Sequence, residues 1–288
     1  MIPEPFDYFR PSTVREAVLL AQRYGGEAKF LSGGHTLLPL MKLRLASPKY
    51  LIDLGGISEL AQVSQQEGWL RIGALASHHA VERSQIVAKL CPLLAQTAAE
   101  IGDVQVRNCG TIGGSVAHAD PAADYPAALL ALDAQVVVEG PSGQRTIAAG
   151  DFFRGLFSTA LEEGELVVAV QVPVLAPESG TAYRKLRHPA SGFAIAGAAA
   201  VVAKDAAGKC HRISVALTGV GPRAFRASGV EQALVGKNLS ARGIASACQR
   251  VAAGVEVQGD IHASSGYRSA MADVFACRAI CAAAGLAT

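Results

Sequence analysis

Apolar residues near the N-terminus recur at helical spacing and then gather into short runs. Residues 14–21 predict an amphipathic helix that Ser12 or Thr13 caps and that the glycines at 25 and 26 end. The run 28–31 predicts a strand that leads into a glycine-rich loop, and 50–54 predicts a second strand. An apolar segment at 37–45 suits a helix between them. The first part of the chain is therefore expected to form a small αβ unit.

The remaining pattern predicts strands mixed with short helices. A hairpin is expected where the runs 135–139 and 145–147 flank Pro141, Ser142 and Gly143, and a further strand at 166–172. Residues 177–180 have the composition of a linker. The alanine-rich segment 193–203 fits a helix or a strand by its spacing, but the turn that follows it favours a strand. Because long strand–helix alternation is missing, the pattern predicts an α+β protein rather than a doubly wound sheet. Elements expected elsewhere are strands at 62–64, 69–73, 183–186 and 213–217, and helices at 77–81, 93–101, 124–132, 230–234, 241–253 and 267–284.

Composition narrows the function classes. The chain has 288 residues, of which 50% are hydrophobic and 17% charged, so it has ample apolar content for a core and too much for disorder. A net charge of +2 favours neither nucleic acid nor an anionic membrane as a partner. The low charged fraction indicates a surface that another subunit covers in part. No apolar run is long enough for a membrane span, and the first residues lack the features of a signal peptide, so a cytoplasmic location is expected.

The six cysteines show no C-x-x-C spacing. The sequence therefore offers no local pattern for an iron–sulfur cluster or a zinc site, and we expect free thiols in a reducing compartment. The cysteines stand at positions 91, 109, 210, 248, 277 and 281.

Two glycine loops carry the strongest chemical signal. Each places a Gly-Gly pair beside hydroxyl side chains, in Ser32–Thr36 and in Thr111–Ser115. Glycine permits positive φ and close approach of a ligand, and successive backbone N–H groups can form a concave anion site. Two such loops suit a dinucleotide, whose two phosphates are adjacent, although each loop alone fits an ordinary tight turn equally well. Neither loop has the Rossmann or the P-loop spacing.

The stretches around both loops, 29–39 and 108–115, resemble the FAD-binding medium subunits of molybdenum hydroxylases. This is the xanthine dehydrogenase and carbon monoxide dehydrogenase flavoprotein family, and the resemblance, nearest to the carbon monoxide dehydrogenase branch, extends to Tyr267 and Arg268. It implies a two-part FAD-binding domain of the p-cresol methylhydroxylase/vanillyl-alcohol oxidase type over 1–176, with parts at about 1–56 and 57–176. An α+β C-terminal domain with an antiparallel sheet and helices would follow over 177–288.

The same resemblance implies a cofactor set and partners. FAD would be bound by this chain, while a large subunit carries a molybdenum cofactor and a small subunit carries 2Fe–2S clusters, with a dimer of heterotrimers as the expected assembly. Electrons would reach FAD from the clusters and leave to an external acceptor. Two alternatives stay open on the residues alone: a self-contained flavin-dependent oxidase of the same fold, and a non-catalytic FAD-binding module.

The resemblance also assigns cofactor-binding residues and no catalytic or metal-binding ones. Asp124 would contact a sugar hydroxyl, although an acidic residue at a helix N-terminus explains it equally. Lys185 would lie near the flavin, or be a solvated strand lysine. Phe193 and Ser115 stand where many relatives have Tyr and Asn. Ile101 and Gly102, and Leu166 or Val167, would line the adenine or isoalloxazine pocket, although plain core packing explains them equally. The full set is Lys29, Phe30, Leu31, Ser32, Gly33, Gly34, His35, Thr36, Leu37, Ile101, Gly102, Gly110, Thr111, Ile112, Gly113, Gly114, Ser115, Asp124, Leu166, Lys185 and Phe193.

Histidines give weaker signals. His35 follows a Gly-Gly pair, a context in which vanillyl-alcohol oxidase-type enzymes attach flavin covalently, but the resemblance favours FAD bound without a covalent bond. His78, His79 and His118 form no zinc pattern and are expected at the surface.

Overall fold

The computed structural model of the chain describes residues 2–287, so the outermost residues of the two predicted domains, 1 and 288, lie outside it. The helices of this range are α1 (Val14–Tyr24), α2 (Leu37–Lys42), α3 (His78–Arg83), α4 (Gln85–Leu90), α5 (Pro92–Ala99), α6 (Val104–Cys109), α7 (Ile112–His118), α8 (Tyr125–Ala131), α9 (Ala149–Phe152), α10 (Ser228–Leu234), α11 (Ala241–Ala247) and α12 (Ser265–Ala283). The strands are β1 (Asp7–Phe9), β2 (Ala28–Leu31), β3 (Tyr50–Asp53), β4 (Val63–Gln66), β5 (Trp69–Gly73), β6 (Gln135–Gly140), β7 (Gly143–Ala148), β8 (Phe153–Gly155), β9 (Ser158–Thr159), β10 (Leu166–Pro173), β11 (Gly180–Arg187), β12 (Ala194–Lys204), β13 (Cys210–Thr218) and β14 (Phe225–Arg226).

The N-terminal unit is a parallel sheet in the order β1-β3-β2, with α1 packed beside it. The hydroxyl of Thr13 accepts the N–H of Glu16 at 3.1 Å and so caps α1. Gly25 ends the helix with φ +54°. The predicted start and end of this helix are both confirmed.

A five-stranded antiparallel sheet in the order β4-β5-β10-β6-β7 forms the centre of the molecule. Strand β10 is apolar almost throughout because both of its faces are covered. Val170 and Val172 point into the core beneath α5 and α8, while Val168 and Ala169 pack against the N-terminal unit. Leu166, at the start of this strand, thus stands where the N-terminal unit meets the central sheet.

The C-terminal sheet is antiparallel in the order β11-β12-β13-β14, and α12 packs on one face of it. The alanine-rich segment forms β12, as the sequence favoured. Ala198 and Ala200 face α12, whereas Ala199 and Val201 face the core of the central sheet. Small side chains on both faces let the helices lie close to this strand. The α+β architecture is confirmed.

Two expectations differ from the structure. The predicted helix 241–253 ends at Ala247, and the chain then turns through Arg250 at φ +62°. The second Gly-Gly pair lies inside α7 rather than in a loop, because Thr111 caps a helix that begins at Ile112. Within residues 2–287, no helix has the length and apolar character needed to span a membrane.

Candidate functional site

A cavity of about 610 Å³ lies where the N-terminal unit, the central helices and the C-terminal sheet meet. Its volume is in the range of small-molecule and cofactor sites. Most of the predicted cofactor-binding residues line it, namely Lys29, Phe30, Leu31, Ser32, Gly33, Gly34, His35, Thr36, Leu37, Ile101, Gly102, Gly110, Thr111, Gly113, Gly114, Ser115, Asp124, Leu166 and Phe193, and so does Val167. The fold therefore brings together segments that are far apart in the chain.

Two predicted residues do not line the cavity. The side chain of Ile112 is fully buried in the central core, and Lys185 lies behind Asp124. Sequence reasoning missed other lining residues, which are Leu40, Ala46, Leu54, Ala74, Leu75, His78, Val106, Ala117, His118, Asp120, Ala123, Leu161, Glu165, Ser191 and Gly192. Of these, Ser191 and Gly192 directly precede Phe193, and their place beside a predicted site residue is a signal that could have found them.

The first glycine loop presents backbone donors to the cavity. Gly34 takes φ +70°, which turns the chain from β2 into α2. Among the described residues 2–287, the N–H groups of Gly33, Gly34, His35 and Thr36 have no acceptor within the protein. Four consecutive donors without a protein partner at a cavity wall suit an anionic ligand.

The second glycine segment is bonded differently. The N–H groups of Ile112 and Gly113 donate to the carbonyls of Ala76 and Ala74, at 3.0 and 2.9 Å. Those of Gly114 and Ser115 donate to the hydroxyl and the carbonyl of Thr111. This segment is thereby tied to the residues after β5. Among the described residues, its backbone N–H groups are already bonded, and the Thr111 hydroxyl is bonded to Gly114 and Ser32, so the Ser115 hydroxyl is the group that it leaves for a ligand.

The two segments touch each other directly. The hydroxyls of Ser32 and Thr111 are 2.6 Å apart. A Cβ atom at Gly33 would lie 2.2 Å from the carbonyl oxygen of Cys109, so only glycine fits there. The floor of the cavity is thus formed by two backbone segments in contact.

His78 lies beneath the second segment, and its expected surface position is wrong. It is only 5% exposed because its ring packs against Tyr125, with the ring centres 5.4 Å apart. Within the described residues, its Nδ1 has no hydrogen-bond partner. Burial, followed by electrostatic interaction with His35 and Arg107, lowers the pKa of His78 to about 4. His78 is therefore neutral at ordinary pH.

Asp124 forms a buried ion pair across the two predicted domains. Both of its carboxylate oxygens accept the ammonium of Lys185, at 2.9 and 3.0 Å, and one also accepts the Tyr183 hydroxyl at 2.5 Å. The side chains of Asp124 and Lys185 are 4% and 0% exposed. Burial raises the pKa of Asp124 and lowers the pKa of Lys185, and the attraction between the two charges opposes both shifts. A surface position for Lys185 is excluded.

The third ammonium contact of Lys185 reaches the loop that closes the cavity. Its Nζ donates to the carbonyl of Gly192 at 2.7 Å. Gly192 takes φ +74°, and a Cβ there would lie 3.2 Å from the Cα of Gly102 across the cavity edge. The next residue, Phe193, lines the cavity and is 43% exposed. An aromatic face therefore stands at the cavity mouth.

These features fit FAD. Unpaired backbone donors and hydroxyls suit the diphosphate, which charge-assisted hydrogen bonds would hold. Apolar walls such as Ile101 and Leu166 suit flat rings.

Comparison with known proteins agrees with the geometry. The family "FAD binding domain in molybdopterin dehydrogenase" matches residues 4–175, and "CO dehydrogenase flavoprotein C-terminal domain" matches 181–283. The chain is 42% identical to the carbon monoxide dehydrogenase medium chain of Hydrogenophaga pseudoflava, over 98% of each chain. It is 36% identical to the glyceraldehyde dehydrogenase medium chain of Sulfolobus acidocaldarius, over 97% of this chain and 98% of that one.

Solved structures agree with these matches. The carbon monoxide dehydrogenase of Hydrogenophaga pseudoflava, in a form that lacks the Mo-pyranopterin moiety of its molybdenum cofactor, contains a chain that superposes with a TM-score of 0.95. That chain is 43% identical, with 98% of each chain covered. The resemblance seen in the sequence is confirmed. The chain belongs to the family of FAD-binding medium subunits of molybdenum hydroxylases of the carbon monoxide dehydrogenase type, and it is an oxidoreductase subunit whose cofactor is FAD.

Proposed function

We propose that this chain passes electrons from the iron–sulfur clusters of a small partner subunit, through FAD, to an external acceptor. The organic or gaseous substrate is oxidised at a molybdenum cofactor on a large partner subunit. FAD supplies the redox chemistry in this chain, and the protein binds it, orients it and limits its contact with water. The assembly expected from the family is a dimer of heterotrimers in the cytoplasm.

Different residues around the cavity hold different parts of FAD. The four free N–H groups of 33–36 and the hydroxyls of Ser32 and Ser115 hold the diphosphate. Asp124 accepts a hydroxyl of the cofactor, and Lys185 acts through Asp124 by fixing its carboxylate. Phe193 shields one face of the flavin. His35 stays unattached to the flavin.

One observation carries this proposal. The cavity that fits FAD is lined by residues of the N-terminal unit, the central part and the C-terminal part of the molecule. The chain that forms it matches the medium chain of a carbon monoxide dehydrogenase over 98% of both lengths. The chain therefore corresponds to one subunit of a larger enzyme rather than to a whole oxidase. The named relatives are medium chains of a carbon monoxide dehydrogenase and of a glyceraldehyde dehydrogenase, so the test of this proposal includes substrates of several classes.

The proposal is tested by comparing the chain alone with the chain expressed together with large and small subunits of the same enzyme family from its own organism. We expect both preparations to contain FAD that acid precipitation releases completely. Only the three-subunit preparation should reduce an artificial electron acceptor with carbon monoxide, an aldehyde, a purine or an N-heteroaromatic compound. Dithionite should reduce the flavin of the isolated chain, since that reaction needs no partner.

The alternatives predict other results. Turnover of an organic substrate by the metal-free isolated chain would favour a self-contained flavin oxidase. Flavin that stays on the acid-denatured chain would indicate a covalent link at His35. A three-subunit enzyme that keeps its full activity after its FAD is removed would identify this chain as a non-catalytic FAD-binding module.

A further inference from the structure

The loop 188–193 between β11 and β12 is organised by one side chain. Nδ1 of His188 accepts the backbone N–H of Ala190 at 3.2 Å and that of Ser191 at 3.1 Å. The hydroxyl of Ser191 lies 3.1 Å from the same nitrogen. The backbone of His188 also joins the two ends of the loop. Its N–H donates to the carbonyl of Phe193 at 2.8 Å, and its carbonyl accepts the N–H of Gly192 at 2.9 Å.

This arrangement selects one tautomer of the ring. Two N–H donors directed at Nδ1 require that it carry a lone pair, so the proton of the neutral imidazole is on Nε2. The other side of the ring packs edge-on against His262, with the ring centres 4.2 Å apart. His188 therefore connects the loop to the segment before α12.

The loop forms part of the FAD cavity. Ser191, Gly192 and Phe193 all line it, whereas His188 does not. The Ser191 hydroxyl also accepts the N–H of Phe193, at 3.4 Å. A change at Nδ1 of His188 thus reaches Phe193 through Ser191, without any contact between the imidazole and the cavity.

We propose that His188 is a positioning residue that holds Ser191 and Phe193 over the flavin and so limits the access of solvent and small solutes to it. The proposal rests on the proposed location of FAD in this cavity. It assigns the effect to the acceptor at Nδ1, and not to the size or charge of the imidazole.

The acceptor hypothesis selects the variants. Asparagine places its side-chain oxygen near the position of Nδ1 and commonly accepts the N–H two residues ahead, so His188→Asn keeps the acceptor. His188→Leu keeps a side chain of similar size but removes the hydrogen-bond acceptor. We expect the loss of the two backbone hydrogen bonds to Nδ1, at about 1 kcal/mol each, to raise the population of loop conformations in which 188–193 is unfastened by about thirtyfold. His211→Leu, at an exposed position of β13 away from the cavity, is the matched control.

Two measurements on the FAD-loaded chain test the proposal. Amide hydrogen exchange of a peptide that spans 188–193 reports whether the loop is fixed, and iodide quenching of flavin fluorescence reports access to the flavin. We expect both to rise strongly in His188→Leu, to return most of the way in His188→Asn, and to stay unchanged in His211→Leu. Equal exchange in wild type and His188→Leu would overturn the proposal, and so would faster exchange with unchanged quenching. Exchange needs no flavin, so a chain that fails to bind FAD would refute the proposed function separately.

Discussion

The two glycine segments look alike in the sequence but are built on different physical principles. In the first, four consecutive N–H groups of 33–36 have no protein acceptor among the described residues, and their residues line the cavity. In the second, the N–H groups of 112–115 are already bonded within the protein and start a helix. We therefore propose that the first segment supplies donors to a ligand and that the second supports it rigidly. A Gly-Gly pair in a sequence does not show which of these it is.

The glycines themselves are required for different reasons. Gly34 is needed for its φ of +70°, whereas Gly113 lies in a helix and is needed because the chain after β5 leaves no room for a side chain. Gly114 is exposed on the cavity side of the same helix. Substitutions at these glycines, and at His78 beneath them, distinguish a required backbone angle from a lack of space and from ligand contact. The changes differ in size and in whether they affect the free energy of unfolding or the flavin content.

Gly113→Ala should have the largest effect. The added Cβ would lie 2.4 Å from the Cβ of Ala74 and 2.7 Å from its carbonyl oxygen, so backbone must move. We expect a loss of about 3 kcal/mol in the free energy of unfolding, measured by urea denaturation. Gly229→Ala, in α10 with nothing within 4 Å, is the control and should change stability by less than about 1 kcal/mol. A small effect at Gly113 would mean that the support is not rigid.

Acid should weaken the second segment through His78. The pKa of this residue is about 4 in the folded chain and 6.5 for an unperturbed histidine, so the unfolded chain binds a proton first as the pH falls. Stability therefore decreases from pH 6.5 to 4, with a slope of at most about 1.4 kcal/mol per pH unit. Urea unfolding at pH 7 and 5 should differ less in His78→Leu than in wild type, by about 2 kcal/mol. His211→Leu should keep the wild-type difference; an equal change in both variants would exclude this origin.

Gly34→Ala should cost about 1 kcal/mol, because alanine disfavours positive φ. Gly34→Asn should cost less, since asparagine tolerates this conformation. A Cβ would also meet the Cδ1 of Leu38 at 2.8 Å, but that flexible side chain can move. Equal losses in both variants, measured by thermal unfolding, would show that the contact with Leu38 matters more than the backbone angle.

Gly114 should affect FAD rather than folding. Alanine gains helix propensity here, and its Cβ would lie 3.0 Å from the hydroxyl oxygen of Thr111, so the two effects should cancel to within about 1 kcal/mol. Gly114→Ala should lower, and Gly114→Val should abolish, the flavin retained after dialysis, because the side chain occupies the cavity. Circular dichroism checks that the fold is kept. Normal flavin content in Gly114→Val would remove this segment from the site.

Local patterns predicted much of this molecule. Thr13 and Gly25 bound α1 as expected, and the alanine-rich β12 was correctly favoured as a strand. The failures involve contacts between distant residues. His78 is polar but buried, because Tyr125, far along the chain, covers it. The positive φ that a glycine loop would give Gly114 is absent, since the cap at Thr111 draws the residue into a helix.

The sequence predicted much of the cavity lining, but not how each lining residue is bonded. Resemblance located most of the cavity lining, including Asp124 and Phe193. It could not show that the second segment uses its own N–H groups, or that Lys185 contacts Asp124 rather than the cavity. Those facts depend on the register of β11 and the packing of α7 against β10, which no local spacing encodes.

The pair of Asp124 and Lys185 limits how this protein could be divided or recombined. Each half of the chain contributes one member, so a fragment that ends before β11 would lose the ammonium that neutralises Asp124 and the Tyr183 hydroxyl bonded to it. The two matched segments are therefore not interchangeable modules, although each has its own family description. A chimera between relatives would need to inherit both residues together, and an intact chain should unfold as one cooperative unit.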